Sequence, residues 1–267
     1  MPATAATAGY DPPVGVLSLV TDFGLGDYYV AAVKGTLLRL APETAIVDVS
    51  HQVPPGDVEE AAFLLGGCWP SFPTGTVHLA VVDPGVGSER RILVARRDEG
   101  LFVAPDNGLL TPVLAGARVV AVRRDDLFLP GQGSTFHGRD RFAPVAAFLL
   151  RGGAPGELGP EVSDAVRLAL PPPSRTAAAL EGRIAHVDRF GNLVTDIPSD
   201  WLPAGPFRAE VLGHVVARFA TYYRELGGEP GLLPGSLGTL ELSLDGESLA
   251  ERWQVGRGAP VRILLER

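Results

Sequence analysis

The chain has 267 residues, 46% apolar and 20% charged, so it can bury a large core in one or two domains and is not globally disordered. A formal net charge of −8 argues against a nucleic-acid partner, because phosphate affinity needs clustered Lys and Arg. The single cysteine, Cys68, excludes an intrachain disulfide and a Cys-based zinc site, and fits a reducing cytoplasm.

Residues 1–13 read as a loose tail, without the basic start and apolar stretch of a signal peptide. No apolar run reaches the ~18–20 residues that cross a bilayer, so a soluble, cytoplasmic protein with no membrane partner is expected. Gly15–Val20 is a buried strand ending at Thr21-Asp22, and the spacing of Val30, Val33, Leu37 and Leu40 predicts a helix over 28–40. Ala45–Val49 is a second strand. Asp57-Val58-Glu59-Glu60 opens another helix, with acids where the macrodipole favours them. Val77–Val82 is a third strand and stops at Asp83-Pro84-Gly85. Ile92–Ala95 and Leu101–Ala104 form an antiparallel pair around Asp98-Glu99-Gly100, and a helix begins near Phe142. The alternation predicts an α/β layer domain over 1–170 with a mixed, mostly parallel sheet.

Leu170-Pro171-Pro172-Pro173-Ser174 marks a stiff linker, placed at 171–180. In 181–267, short strands at Gly182–Val187, Leu193–Ile197, Gly238–Leu242 and Pro260–Leu265 predict a smaller all-β domain, a barrel or a sandwich.

Three polar segments follow apolar runs: Thr21–Asp27, Asp83–Arg90 and Ser134–Asp140. Gly24-Leu25-Gly26 suggests a dinucleotide loop, but Tyr29 stands at the third glycine position, which disfavours that reading. Asp22, at a strand end, suits a ribose diol; Asp27 suits either a ligand or a helix cap. Asp83 and Arg90, across a glycine-rich turn, can fold back into a charge-assisted pair that fixes a water or an anion, or can simply make a turn. His137, before Gly138 in a dense polar cluster, is either structural or catalytic. His78 reads as a core residue, and His51, His186 and His214 have no assigned role. Phe190 and Asn192, in Asp188-Arg189-Phe190-Gly191-Asn192, suit a purine or a plain hairpin turn. A metal site of Asp83, His137 and Asp140 is an alternative without an anchoring His pair.

Together, Thr21-Asp22-Phe23-Gly24 with Asp27, Val47-Asp48-Val49-Ser50-His51, Asp57–Ala61, Asp83–Gly87, Ala104–Leu110, Thr135–Asp140 and Phe190-Gly191-Asn192 are highly specific in their order. The chain so read resembles the S-adenosylmethionine hydroxide adenosyltransferases, hydrolytic relatives of fluorinase and chlorinase, from about Val16 to the C-terminal strands. The resemblance implies hydrolysis of S-adenosylmethionine to adenosine and methionine without a cofactor or metal, by a catalytic set falling on Asp83, Arg90 and His137. It also implies that Asp22 holds the ribose hydroxyls, that Asp27 and Asp188 face the methionine ammonium, and that Phe190 and Asn192 contact adenine, with Asn107 lining the substrate. A homotrimer with sites between subunits is implied too. Where relatives often carry a Ser-Arg pair for the methionine carboxylate, this chain has Leu244-Asp245-Gly246, and Arg252 is the expected substitute. The competing expectations are a non-catalytic binder of adenosine or S-adenosylmethionine and a metal-dependent hydrolase.

Overall fold

In strand β1 (Gly15–Thr21), Leu17 and Leu19 enter one layer of core and Val20 the opposite one, so both faces of the strand are covered. The structure, a computed structural model, describes residues 15–98, 100–130 and 135–266. The expected tail at 1–13, Glu99 of the expected hairpin turn and Ser134 lie outside these residues. The chain divides into two units, Met1–Leu168 and Ala169–Arg267.

Unit 1 follows the predicted alternation. Helix α1 (Tyr29–Leu40) sets Val33 and Leu37 on the first core layer. After β2 (Thr44–Ser50), Asp57 caps α2 (Val58–Cys68), its carboxylate accepting from the Glu60 amide at 3.0 Å, and Ala61 and Leu65 cover the second layer. Strands β3 (Val77–Val81), β4 (Ile92–Arg97), β5 (Gly100–Pro105) and β6 (Arg118–Ala121) complete the sheet, and α3 (Ala143–Leu150) returns to the first layer. The strand order is β2-β1-β3-β5-β4-β6. Pairing is parallel through β2, β1, β3 and β5, and antiparallel where β4 meets β5 and β6. The sheet is mixed and mostly parallel, as predicted. Because β1, β3 and β5 are parallel neighbours, Asp22, Asp83 and Asn107 all leave the same edge of the sheet, where open α/β sheets place ligands.

His78, in the middle of β3, is the satisfied core residue the sequence suggests. It is 2% exposed, shares a 2.7 Å hydrogen bond with Ser18 Oγ and stacks on Phe102 at 4.8 Å. Burial pushes its imidazole down to about 4.

Unit 2 is an all-antiparallel, barrel-like sheet with α4 (Leu249–Trp253) beside it. Its strands are β7 (Ser174–Arg175), β8 (Ala179–Val187), β9 (Leu193–Pro198), β10 (Phe207–Val211), β11 (His214–Val216), β12 (Gly231–Pro234), β13 (Thr239–Ser243) and β14 (Pro260–Leu265). The order is β11-β10-β14-β8-β9-β13-β12, with β7 on β8, and a bridge from Phe219 to Leu232 of β12 draws the two ends of the sheet together. Leu180, Ile184, Leu193, Leu242 and Ile263 are among its core. β7 and the start of β8 fall within the stretch expected to be a linker, which is therefore partly paired. Among the described residues no helix is long and apolar enough to cross a membrane.

Candidate active site

After β3 the chain makes two successive turns, with Val86 N bonding Asp83 O at 3.2 Å and Ser88 N bonding Gly85 O at 3.1 Å. These turns bring Arg90 back onto Asp83. Arg90 Nε and Nη2 donate to Asp83 Oδ2 at 2.8 and 2.5 Å, and Nη2 lies 2.8 Å from His137 Nδ1. A guanidinium only donates, so His137 Nδ1 carries the lone pair and the ring proton sits on Nε2. The Arg90 guanidinium carbon also lies 5.0 Å over the ring of Phe142. The Asp83 and Arg90 side chains are 6% and 9% exposed, and His137 is buried. Asp83 Oδ1 is buried and has no hydrogen-bond partner among the described residues. A carboxylate oxygen left so is costly unless a hydrogen-bearing ligand takes it.

His137 stands just before a π-helical turn, Gly138–Phe142, that runs into α3. Gly138 marks a close approach, since a Cβ there would lie 3.0 Å from the ring of Phe23, tighter than an ordinary contact. Phe23, Tyr28, Tyr29 and Phe136 form an aromatic cluster, with Tyr29 and Phe136 centroids 5.1 Å apart and Tyr28 largely exposed.

Asp22 Oδ2 accepts from Gly56 N at 2.9 Å. Asp27 is exposed, and the capping alternative for it fails: the α1 N-cap falls on Tyr28, and among the described residues no side chain caps the helix start. Asn107 is tied at both ends, its Nδ2 donating to Val82 O at 2.9 Å and its Oδ1 accepting from Leu109 N at 3.2 Å. It braces the strand end that carries Asp83. Asp140 accepts from Arg139 Nε and Nη2 at 2.6 and 2.9 Å, which draws it away from the metal set considered above. Among the described residues no group of three or more His, Cys, Asp or Glu is arranged to hold a metal ion.

In unit 2, Asp188 organises its own turn. Its Oδ1 accepts from the amides of Phe190 and Asn192, both at 2.9 Å, and its Oδ2 from Asn192 Nδ2 at 2.8 Å. Gly191 has φ +81°, and a Cβ there would meet Ser248 Oγ at 2.0 Å, so only glycine lets the turn sit against the start of α4. Phe190 is thrust outward, 76% exposed, while Asn192 is buried. Both line a cavity of about 590 Å³ together with Asp188, Tyr223, Asp245 and Glu247. Arg252, on α4, does not line it and lies 3.7 Å from Glu247.

Tyr223 and Glu241 carry no sequence expectation, yet they pair: the hydroxyl of the half-exposed Tyr223 donates to Oε1 of the buried Glu241 at 2.6 Å. Burial, then the bond to Glu241, pushes the phenol up. The signal in the sequence was a glutamate between two core leucines, Leu240 and Leu242.

A family model described as the SAM hydroxide adenosyltransferase N-terminal domain matches residues 17–159, and one for the C-terminal domain of that family matches 182–262. An (R)-S-adenosyl-L-methionine hydrolase of Thermus thermophilus is 42% identical over 255 residues, covering 92% of this chain and 98% of that protein. One from Salinispora tropica is 38% identical over 257 residues, covering 94% and 98%. The crystal structure of a conserved protein from Thermotoga maritima superposes with a TM-score of 0.87 at 32% identity, covering 92% of this chain and 99% of that one. The matched residues span both units, and the chain belongs to the SAM hydroxide adenosyltransferase family.

Proposed function

We propose that this protein hydrolyses S-adenosyl-L-methionine to adenosine and L-methionine, by in-line attack of a water held between Asp83 and His137. The observation that carries this reading is the divided carboxylate of Asp83, with Oδ2 occupied by Arg90 and Oδ1 buried and unpartnered among the described residues. The activity named for the Thermus and Salinispora relatives supports it, and with it the R configuration at the sulfonium.

The chemistry needs little beyond positioning. As the bond from C5′ to sulfur breaks, its electron pair neutralises the sulfonium, so the thioether of methionine leaves without a general acid. The new bond forms between C5′ and the water oxygen, and the water gives up one proton. Asp83 Oδ1 accepts a hydrogen of that water and takes the proton. His137, with Nδ1 taken up by Arg90, offers Nε2–H as a donor that aims the oxygen. Arg90 keeps both partners in place.

The remaining roles belong to the same proposal. Asp22 binds the ribose hydroxyls, Phe190 stacks on adenine and Asn192 reads its edge. Asn107 supports the strand end under the substrate, and Asp27 and Asp188 add negative charge for the ammonium. Arg252, turning from Glu247, takes the methionine carboxylate. The reading includes a cytoplasmic homotrimer, checked by light scattering at three chain masses.

Chelator-treated protein incubated with S-adenosylmethionine in oxygen-18 water is the test. Labelled adenosine with unlabelled methionine is expected. Unchanged substrate from folded protein, or turnover that returns only with a divalent ion, would overturn the reading.

A further inference from the structure

We propose that His51 is a positioning residue for Asp22, the inner link of a polar chain that runs Lys34–Asp48–His51–Thr21. The inference rests on the reading of Asp22 as the ribose ligand and adds what holds it in place. His51 is 4% exposed, and its ring Nδ1 shares a 2.8 Å hydrogen bond with Thr21 Oγ1, immediately before Asp22. Its carbonyl accepts from Gly24 N at 2.7 Å, just beyond Asp22. Gly24 has φ +68°, so the turn it closes is one that a side chain would strain. Together with the Gly56 amide on Asp22 Oδ2, the segment after β2 grips the Asp22 turn at three points, Thr21, Asp22 and Gly24.

The direction of each bond follows from the donors present. His51 Nε2 faces Asp48 Oδ1 obliquely at 3.0 Å, and a carboxylate oxygen only accepts, so the imidazole proton sits on Nε2. Nδ1 is then the acceptor and Thr21 Oγ1 donates its proton to it, while accepting from Phe23 N at 3.3 Å. Lys34 Nζ, from the only lysine in the chain, closes the outer end on Asp48 Oδ2 at 2.5 Å. Burial opposes the charge on Asp48, but the bonds from Lys34 and His51 outweigh it and hold the carboxyl below its ordinary value. A residue needed only to fill the core would leave Thr21 Oγ1, fully buried, without an acceptor for its proton. A histidine at this point ties two strand ends to a single orientation of the Asp22 turn.

Calorimetric binding of adenosine and of 2′,3′-dideoxyadenosine tests this, in the wild-type protein and in Thr21→Val, Thr21→Ser and His51→Leu. Thr21→Val and His51→Leu should weaken adenosine about tenfold while leaving the dideoxynucleoside unchanged, the loss tracking a charged hydrogen bond. Thr21→Ser should restore wild-type binding. In an Asp22→Ala background the same substitutions should add nothing further. Equal loss for both nucleosides, or the same loss without Asp22, would overturn the proposal. A wild-type protein with no preference for adenosine would overturn the ribose assignment of Asp22 itself, a different result from loss shared by both ligands. Asp48→Asn, at the half-exposed outer link, gives the same contrast should the inner variants fail to fold.

Discussion

Arg90 divides the Asp83 carboxylate: Oδ2 takes both guanidinium bonds, at 2.8 and 2.5 Å, and Oδ1 stays buried without a hydrogen-bond partner among the described residues. Position and proton acceptance are thereby assigned to different oxygens of one group. Asp83→Asn keeps the shape but removes the charge. Turnover should fall by about 10²–10⁴, the range for loss of a positioned base, while adenosine affinity stays within about threefold. Steady-state kinetics beside calorimetry on the same protein checks both halves. A variant that loses adenosine binding along with turnover would mark Asp83 as structural.

Arg90→Lys retains a charge but cannot reproduce the fork. A lysine ammonium is a point donor, and here one nitrogen of a planar group serves Asp83 and His137 at once. Turnover should drop at least about tenfold, with melting temperature changed far less than in Arg90→Ala, where Asp83 is left buried and unpaired. Parallel thermal unfolding and rate measurements on the two variants separate these effects.

Phe190 stands 76% exposed on the Asp188 turn, an arrangement that costs folding nothing to truncate. Phe190→Ala should leave stability within about 0.5 kcal/mol. Adenosine affinity should fall by about 1–3 kcal/mol if the ring stacks on the base. Calorimetric titration with adenosine, and with ribose 5-phosphate as a ligand lacking the base, reads the difference.

His78 makes a pH prediction. Its imidazole titrates near the ordinary 6.5 in the unfolded chain and at about 4 in the fold, because it is buried neutral. The unfolded state therefore binds the extra proton between those values. The stabilising contribution is fully present above pH 6.5 and is lost progressively as pH falls toward 4, on the order of 3 kcal/mol in all. Denaturant unfolding between pH 7 and pH 4 should show a steeper decline for the wild-type protein than for His78→Gln, which cannot titrate there.

The α/β unit is easily read because each of its central strands is an apolar run with core on both sides, as at Leu17, Leu19 and Val20. In the β unit, β10 carries the alternation of a half-buried strand, Arg208 and Glu210 between buried Phe207, Ala209 and Val211, but over only five residues and without an apolar run. β11 and β12 are short, and β12 ends on a proline, so neither makes a recognisable run. At the site, the Asp83–Arg90 pair is legible as one of two options, because a glycine-rich turn lets residues seven apart fold back on each other as readily as it makes a plain turn. The contact from Arg90 to His137 spans 47 residues and no local pattern encodes it. Resemblance to a family supplied that grouping. His51 had no assigned role for a related reason: its partners Thr21 and Asp48 lie on different parallel strands, which only the sheet registers together.

The π-helical turn at Gly138–Phe142 carries one residue more per turn than the helix it enters. If these same residues wound as α-helix with none removed, what precedes them would turn by about 100°, the angle of one residue around an α-helix. α3 would stay packed, but His137 would swing off Arg90. The aim of this imidazole is thus written in how the backbone winds as much as in residue identity, and a chain that kept every polar side chain yet wound this turn as α-helix would keep the parts of the site without its assembly.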